Sequence, residues 1–450
     1  MTGVQLPEEA RRAVESIRKA DIVIGIPSYN NGRTIGHVVQ AAYAGLARYF
    51  PQFTGVVINS DGGSTDNTPE AVLSARVEDG HLMLLSTPPV AAHRLSFPYH
   101  GVPGKGSAFR AVFRLAEGLQ AKACAVVDSD SLSITPEWID LLLRPILFAG
   151  YDFVAPYYHR HKYDGTITNS IVYPLTRALY GLRVRQPIGG DFGVSKRLFT
   201  RYLKRDDWET DVARYRIDVW MTTIAIAESF RVCQSFLGAK LHNARDRGSD
   251  LSAMLEQVVG SVFMLMREYE PTWKGRTCSK PAELFGFRYD IGLEHVEFDV
   301  ERMVSAFRRG CQELGEVWSV ALQPGTLAEL RKVQTTCASA GNGFHLEDDL
   351  WAQLVLDFSC AYQRETLSRK LILRSLTPIY LGWAASFVRE TRTFVSADVE
   401  EKIEQLCLTF EKLKPYLASQ WDQGRAPEPD AVPQPDVETE RQSPTARVEV

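Results

Sequence analysis

Ala123-Cys124-Ala125-Val126-Val127-Asp128-Ser129-Asp130 is five apolar residues in a row, followed by two carboxylates that flank a serine. Five uncharged, small or β-branched residues fit a strand buried on both faces. The pattern repeats outward from it. Ile22 to Ile26, Val56 to Asn59 and His81 to Leu85 are further short apolar runs, and the stretches Ile35 to Tyr49, Pro69 to Val77 and Ser107 to Leu119 have helical periodicity. Strand and helix alternating at this spacing imply βαβ units, and so an α/β fold with a mainly parallel sheet. Ligands of such sheets gather at the carboxyl ends of the strands. The loops there are polar and glycine-containing: Pro27 to Gly32 after the first strand, Ser60 to Thr68 after the second, and Asp128 to Asp130 after the fourth.

From about Asp250 the alternation stops. Leu251 to Tyr269, Val300 to Leu314, Leu327 to Cys337, Glu347 to Arg364, Ser368 to Glu390 and Ala397 to Ala418 read as successive helices. The expected organisation is an N-terminal helix over 1–20, an α/β domain over 21–249, a helical C-terminal domain over 250–420 and a disordered tail over 421–450. The tail carries five prolines and almost no large apolar side chains.

Composition narrows the function classes. With 45% hydrophobic and 24% charged residues the chain reads as an ordinary globular protein. A net charge of −4 leaves no basic excess to neutralise phosphates, which argues against a nucleic-acid partner. The seven cysteines include no C-x-x-C pair, as expected of small buried thiols in a reducing compartment. No signal-peptide core and no apolar run of about 18 residues is present, so the expectation is a cytoplasmic protein without a membrane span.

Three motifs carry chemistry. Asp128 and Asp130, two residues apart at a strand end, can both reach one hard cation that also holds a diphosphate; the alternative is a solvated turn or a cap for the helix starting near Pro136. In the second loop Asp61 can accept an N–H from a nucleotide base, with Gly62 and Gly63 allowing close approach. Lys105, between Gly104 and Gly106 at a helix start, suits a phosphate although the spacing is not that of a Walker loop.

Taken in order, Ile24-Gly25-Ile26-Pro27-Ser28-Tyr29-Asn30, Asp61-Gly62-Gly63-Ser64-Thr65-Asp66-Asn67-Thr68, Gly104-Lys105-Gly106-Ser107-Ala108 and Val127-Asp128-Ser129-Asp130 resemble the GT-A fold of nucleotide-sugar glycosyltransferases over roughly Asp21 to Asn243. Gln186-Pro187-Ile188-Gly189-Gly190-Asp191, Tyr215-Arg216-Ile217-Asp218 and Ala239-Lys240-Leu241-His242-Asn243 are similar to segments of the mannosylglycerate synthase and glucosyl-3-phosphoglycerate synthase families. That resemblance implies His242 as third ligand, beside Asp128 and Asp130, of a divalent cation (Mg²⁺ or Mn²⁺). It implies Asp218 and Asp191 beside the transferred sugar, and Pro27, Tyr29, Asn30, Asp61, Lys105, Ser129, Gly189 and Gly190 around the donor. It also implies that Arg160, Thr166 and Thr168, in a basic aromatic stretch, take the acceptor.

The implied reaction is transfer of a hexose from a GDP- or UDP-sugar to a small hydroxy acid, D-glycerate or 3-phosphoglycerate, with retention at the anomeric carbon, as in compatible-solute synthesis. A homo-oligomer would use the helical C-terminal region. If the reaction inverts instead, Asp191 or Asp218 is the natural base. Competing readings are an inverting transferase with a lipid-linked or polysaccharide acceptor, and a nucleotidyltransferase. The latter would need a glycine-rich loop straight after the first strand, where Pro27-Ser28-Tyr29-Asn30 stands.

Overall fold

In a computed structural model the described residues are 8–75, 81–86, 104–209, 217–241, 251–289, 299–339 and 344–423. The apolar runs form the expected strands: β1 (Ile22–Ser28), β2 (Gly55–Asp61), β3 (His81–Ser86) and β4 (Ala123–Val126). They lie in the order β3-β2-β1-β4, all parallel. β1 is buried at every position, as a strand covered on both faces must be. The expected helices are present as α1 (Glu8–Ile17), α2 (Ile35–Tyr49), α3 (Thr68–Ser74) and α4 (Lys105–Gly118).

Four further strands complete the sheet, and the periodicity argument did not find them. They are β5 (Phe153–His159), β7 (Phe192–Ser195), β8 (Val232–Ala239) and the edge strand β10 (Glu283–Phe285). β7 lies between β4 and β5 and runs antiparallel to both. Two residues each of β6 (Leu182–Arg183) and β9 (Lys280–Pro281) pair separately. The order β10-β8-β5-β7-β4-β1-β2-β3 therefore has one reversed strand. The reversal sets the site: because β7 is antiparallel, its first residues lie beside the last residues of β4, with Phe192 opposite Val126.

α5 (Pro136–Ala149) follows the acidic turn. It starts with proline in its first turn and ends at Gly150, whose φ of +70° makes the left-handed C-cap that a Cβ would oppose. It packs with α2 on one face of the sheet, where Ile22, Ile24, Ile26, Trp138 and Leu142 share a core. The other face carries α4, α6 (Tyr173–Tyr180), α7 (Lys196–Leu203) and α8 (Ile217–Ala227). Its core runs without a break from Val23 and Phe113 into Phe263, Trp351 and Tyr380 of the C-terminal helices. The two regions that the sequence divides near residue 250 thus share one hydrophobic core.

The C-terminal region is helical as expected: α9 (Leu251–Glu268), α10 (Glu270–Lys274), α11 (Val300–Glu313), α12 (Gly315–Ala321), α13 (Pro324–Ser339), α14 (Asp348–Arg364), α15 (Arg369–Glu390), α16 (Ser396–Lys412) and α17 (Lys414–Trp421). It departs from expectation in detail: α10 and α12 are additional short helices, the stretch expected as one helix over Ala397 to Ala418 breaks at Leu413, ahead of Pro415, and residues 280–285 supply strands. α15 is the one described helix long and apolar enough to cross a membrane, yet 78% of its apolar window is buried inside the protein, where it is a core helix. All seven cysteines are free thiols. Residues 424–450 of the expected tail lie outside the described residues.

Candidate active site

The ends of β1 and β2 are joined side chain to side chain. Their parallel register sets Ser28 opposite Asp61, and Ser28 Oγ donates to Asp61 Oδ1 at 3.0 Å. The same carboxylate accepts Gly63 N at 3.1 Å, Ser64 N at 2.8 Å and Ser64 Oγ at 2.5 Å. A carboxylate offers about four lone-pair directions, and Asp61 has filled its own within the loop. Asn30, at φ +54°, accepts Thr65 N at 2.8 Å and donates its backbone N–H to Ser64 Oγ at 2.8 Å. Pro27 continues β1, while Tyr29 lies just beyond it and donates its N–H to Asn31 Oδ1 at 2.9 Å. Asn31 Oδ1 also accepts Ser129 Oγ at 2.9 Å, which ties this pair of loops to the acidic turn.

At the acidic turn the reversed strand matters. Asp128 N donates to Asp191 Oδ1 at 2.8 Å. Gly190, at φ +84°, has no alternative at this position, since a Cβ there would stand 1.9 Å from Asp128 Oδ2. Gly189 is equally constrained, with Pro156 Cγ 2.0 Å from where its Cβ would be. Lys105 Nζ, from the first turn of α4, is 2.8 Å from Asp128 Oδ1 and 3.4 Å from the Asp218 carboxylate. Lys240, just after β8, reaches the other Asp128 oxygen at 2.6 Å, Asp191 Oδ2 at 2.6 Å and the Gly189 carbonyl at 2.9 Å. Tyr158 Oη donates to the same Asp191 oxygen. Asp128, Asp191, Asp218, Lys105 and Lys240 are all buried. Removing one partner from a buried set of this kind costs about 3–5 kcal/mol, because the charge left behind has no water to turn to.

Among the described residues, four carboxylates (Asp128, Asp130, Asp191, Asp218) lie with the ammonium groups of Lys105 and Lys240, and the Arg160 charge also acts on Lys240. Burial, and then repulsion from Asp128, raises the Asp130 carboxyl to about 6, although Lys240 and Lys105 pull it down. Burial raises Asp218 above its ordinary value more than Lys105 lowers it, and Asp218 Oδ1 accepts no hydrogen bond. Burial also disfavours the Lys240 ammonium, but Asp128 and Asp191 outweigh that and leave its pKa raised.

Asp130 receives no hydrogen bond from a described residue, and its carboxylate offers the hard oxygens that suit a divalent cation. Among the described residues no three His, Cys, Asp or Glu side chains are arranged to hold a metal by themselves. His242, the expected third ligand, lies outside the described residues. Leu241, the residue before it, is tied to the acidic turn: its N donates to Ser133 Oγ at 2.9 Å and its carbonyl accepts Leu132 N at 2.9 Å. The capping alternative for the acidic pair fails, since Thr135 stands at the N-cap of α5 and Asp128 is turned to the lysines.

The residues expected to take the acceptor divide. Arg160 packs over the Tyr158 ring at 5.2 Å and lies 3.6 Å from Asp164, and its buried Nε has no hydrogen-bond partner. Thr166 is buried, its hydroxyl 2.5 Å from Tyr380 Oη of α15. Thr168 opens the π-helical turn Thr168–Val172 and is partly exposed. The sequence reading missed Lys240 and Tyr158. Lys240 was in view only as a neighbour of His242, and a lysine after a strand ordinarily reads as solvated. A separate cavity of about 480 Å³, lined by Gln323, Thr326, Gln353 and Tyr416 among others, lies in the helical region and contains none of the expected site residues.

No protein-family model and no curated protein matches the chain. Among solved structures it is similar to glucosyl-3-phosphoglycerate synthase from Mycobacterium tuberculosis in complex with Mn²⁺, UDP and phosphoglyceric acid, at 18% identity over 60% of this chain and 85% of that one, TM-score 0.41. The same enzyme with Mg²⁺ and UDP gives 18% identity over 59% and 85%, TM-score 0.40. A structure described only as a mycobacterial protein gives 20% over 60% and 79%, TM-score 0.40. The likeness is distant.

Proposed function

We propose that the chain is a cation-dependent glycosyltransferase. It transfers a hexose from a nucleoside diphosphate to a small hydroxy acid of the D-glycerate or 3-phosphoglycerate type, with retention. The observation that carries this reading is the Asp128–Lys105–Asp218 and Asp128–Lys240–Asp191 cluster at the strand carboxyl ends, beside two polar loops locked to one another. It is a buried cluster whose preplaced ammonium groups supply the kind of fixed positive charge that stabilises a diphosphate leaving group.

Asp130 and Asp128, with His242 by resemblance, would hold Mg²⁺ or Mn²⁺, which when bound supplies charge stabilisation for the departing diphosphate. Lys105 adds a fixed positive charge beside that path. Asp218 Oδ1 accepts no hydrogen bond, so it can accept one from a hydroxyl of the sugar. Asp191 has both oxygens engaged and frames the site rather than acting as a base. If the reaction inverts, Asp218 takes the base role. Pro27, Tyr29, Asn30, Ser129, Gly189 and Gly190 line the donor side. Asp61, its lone pairs already used, shapes the loop that meets the base of a GDP- or UDP-hexose. Arg160 clamps the acceptor carboxylate through donors that Asp164 does not fully occupy, with Thr168 beside it. Free, mostly buried thiols suit a cytoplasmic setting.

A melting-temperature screen of UDP-, GDP- and ADP-hexoses with Mn²⁺ or Mg²⁺ tests this, followed by glycerate and 3-phosphoglycerate as acceptors. A ligand at 100 times its Kd adds about 2.7 kcal/mol of stability. One nucleotide class should raise the melting temperature only with a divalent cation, and Asp130→Asn should abolish that rise. No shift with any donor, with or without metal, sinks the proposal.

A further inference from the structure

Lys240 is placed as few lysines are. Its ammonium has three N–H bonds, and all three are used inside the protein: on Asp128 at 2.6 Å, on Asp191 at 2.6 Å and on the Gly189 carbonyl at 2.9 Å. Its side chain is 2% exposed, and the cation lies 5.1 Å from the centre of the Tyr158 ring. Two carboxylates from different strands that accept from a single nitrogen would repel one another if that nitrogen were lost. Elsewhere in proteins a divalent cation commonly plays the bridging part between such a pair.

The strands explain how it gets there. β5 and β8 pair in parallel with a register shift between Tyr157 and Tyr158, where Leu237 is the unpaired extra residue. Bulges of this kind re-aim the side chains that follow them. Beyond this one, Tyr158 and Lys240 both converge on Asp191 Oδ2. Asp191 in turn holds the backbone N–H of Asp128. Lys240, Asp191 and the first residue of the acidic turn form one closed unit.

We propose that Lys240 is a positioning residue, a built-in counter-ion that locks Asp128 to Asp191 and so pre-forms the acidic turn before any divalent cation arrives. The cation is then taken mainly by Asp130, the carboxylate no described donor holds. The idea rests on reading this cluster as the donor site, but its test uses no nucleotide sugar. The two can therefore fail separately.

The test is a four-way cycle on the full chain: wild type, Lys240→Met, Asp191→Asn and Lys240→Met with Asp191→Asn, each melted in EDTA and in MnCl₂. Methionine keeps the stem packing without the charge, and asparagine keeps the acceptor for Asp128 N–H. The wild type should gain only the modest rise in MnCl₂ that uptake at Asp130 gives, and less than Lys240→Met gains. Lys240→Met in EDTA should melt lower by about 5 °C or more, and Mn²⁺ should recover most of that loss by bridging the exposed pair. The double variant should melt within about 2 °C of Asp191→Asn alone, because the repelling partner is gone. Single losses that simply add in the double variant, or a Lys240→Met protein that gains no more from Mn²⁺ than the wild type, overturn the proposal and leave Lys240 a packing residue. If Lys240→Met does not fold in either medium, the double variant decides: folding like Asp191→Asn supports the counter-ion role, and failing to fold refutes it.

Discussion

Asp130 is a carboxylate kept above its ordinary pKa, first by burial and then by the neighbouring Asp128 charge. A group whose folded pKa is raised contributes stability that is fully present below its unfolded value of 3.8 and is lost as pH rises through about 6. In EDTA, therefore, the cost of ionising Asp130 appears as the pH climbs through that window, and a bound cation offsets it. The same titration governs metal uptake. Mn²⁺ affinity measured without nucleotide should be level above about pH 7 and fall roughly tenfold per unit below about pH 6, since a proton competes for the ligand. Calorimetric titration across that range checks it. A flat profile, or one unchanged in Asp130→Asn, would remove Asp130 from the metal site. Asp61 shows the opposite lesson. Its loop composition made it a base-binding candidate, but hydrogen bonds from Ser28, Gly63 and Ser64 fill its acceptor capacity. No reading of composition reveals that a lone pair is already used.

At the scale of elements, the loop that carries Arg160 is anchored from outside the α/β domain. Lys162 Nζ donates to the carbonyls of Thr391, Arg392 and Phe394 at 2.8, 3.0 and 2.9 Å, just beyond the carboxyl end of α15. Thr391 is the helix's C-cap, so the lysine satisfies one terminal carbonyl and counters the helix dipole, while its other two bonds hold the turn that follows. Tyr163 Oη adds a bond to the Val388 carbonyl at 3.2 Å, and Thr166 meets Tyr380. The helical region thus holds the Arg160 loop in shape. Lys162→Met should cost about 1–3 kcal/mol in urea unfolding and raise the KM for the hydroxy acid several-fold more than that for the donor. Equal changes in both would show that the clasp has no bearing on the acceptor side. Sequence alone marks 157–169 as a basic aromatic loop. That Thr166 turns to Tyr380, 214 positions away, is set by tertiary contact.

Across the whole molecule the two regions are joined by a buried arginine as well as by a shared core. Arg177 of α6 has no exposed side-chain surface, and its guanidinium grips Glu404 at 2.6 and 2.8 Å and Glu411 at 2.7 Å, both from α16. The partners are unequal, because Glu404 is 37% and Glu411 24% exposed. Replacing both glutamates by glutamine strands a buried cation and should cost about 3–5 kcal/mol. Arg177→Met leaves two carboxylates that water can reach and should cost less, about 1–2 kcal/mol. Urea unfolding of the two variants orders them, and the reverse order would mean that packing rather than charge holds the junction. The Arg177 hydrogen bond holds the Glu404 carboxyl below its ordinary 4.5. Its contribution is therefore fully present above that value and lost as pH falls through the lowered folded one.

The sequence by itself determined the parallel half of the sheet, its helices and the helical C-terminal run, because hydrophobic period and turn chemistry are local properties. It also placed Asp128, Asp130 and Lys105 at strand and helix ends, where ligands collect. Tertiary structure alone decided the reversed strand that brings Asp191 against Asp128, the insertion of Lys240 between them and the engagement of Tyr158 with Asp191. Those contacts join residues 33 to 112 positions apart. A lysine or tyrosine after a strand carries no local mark of the burial that fixes its partners, whereas a run of apolar residues carries the mark of its own.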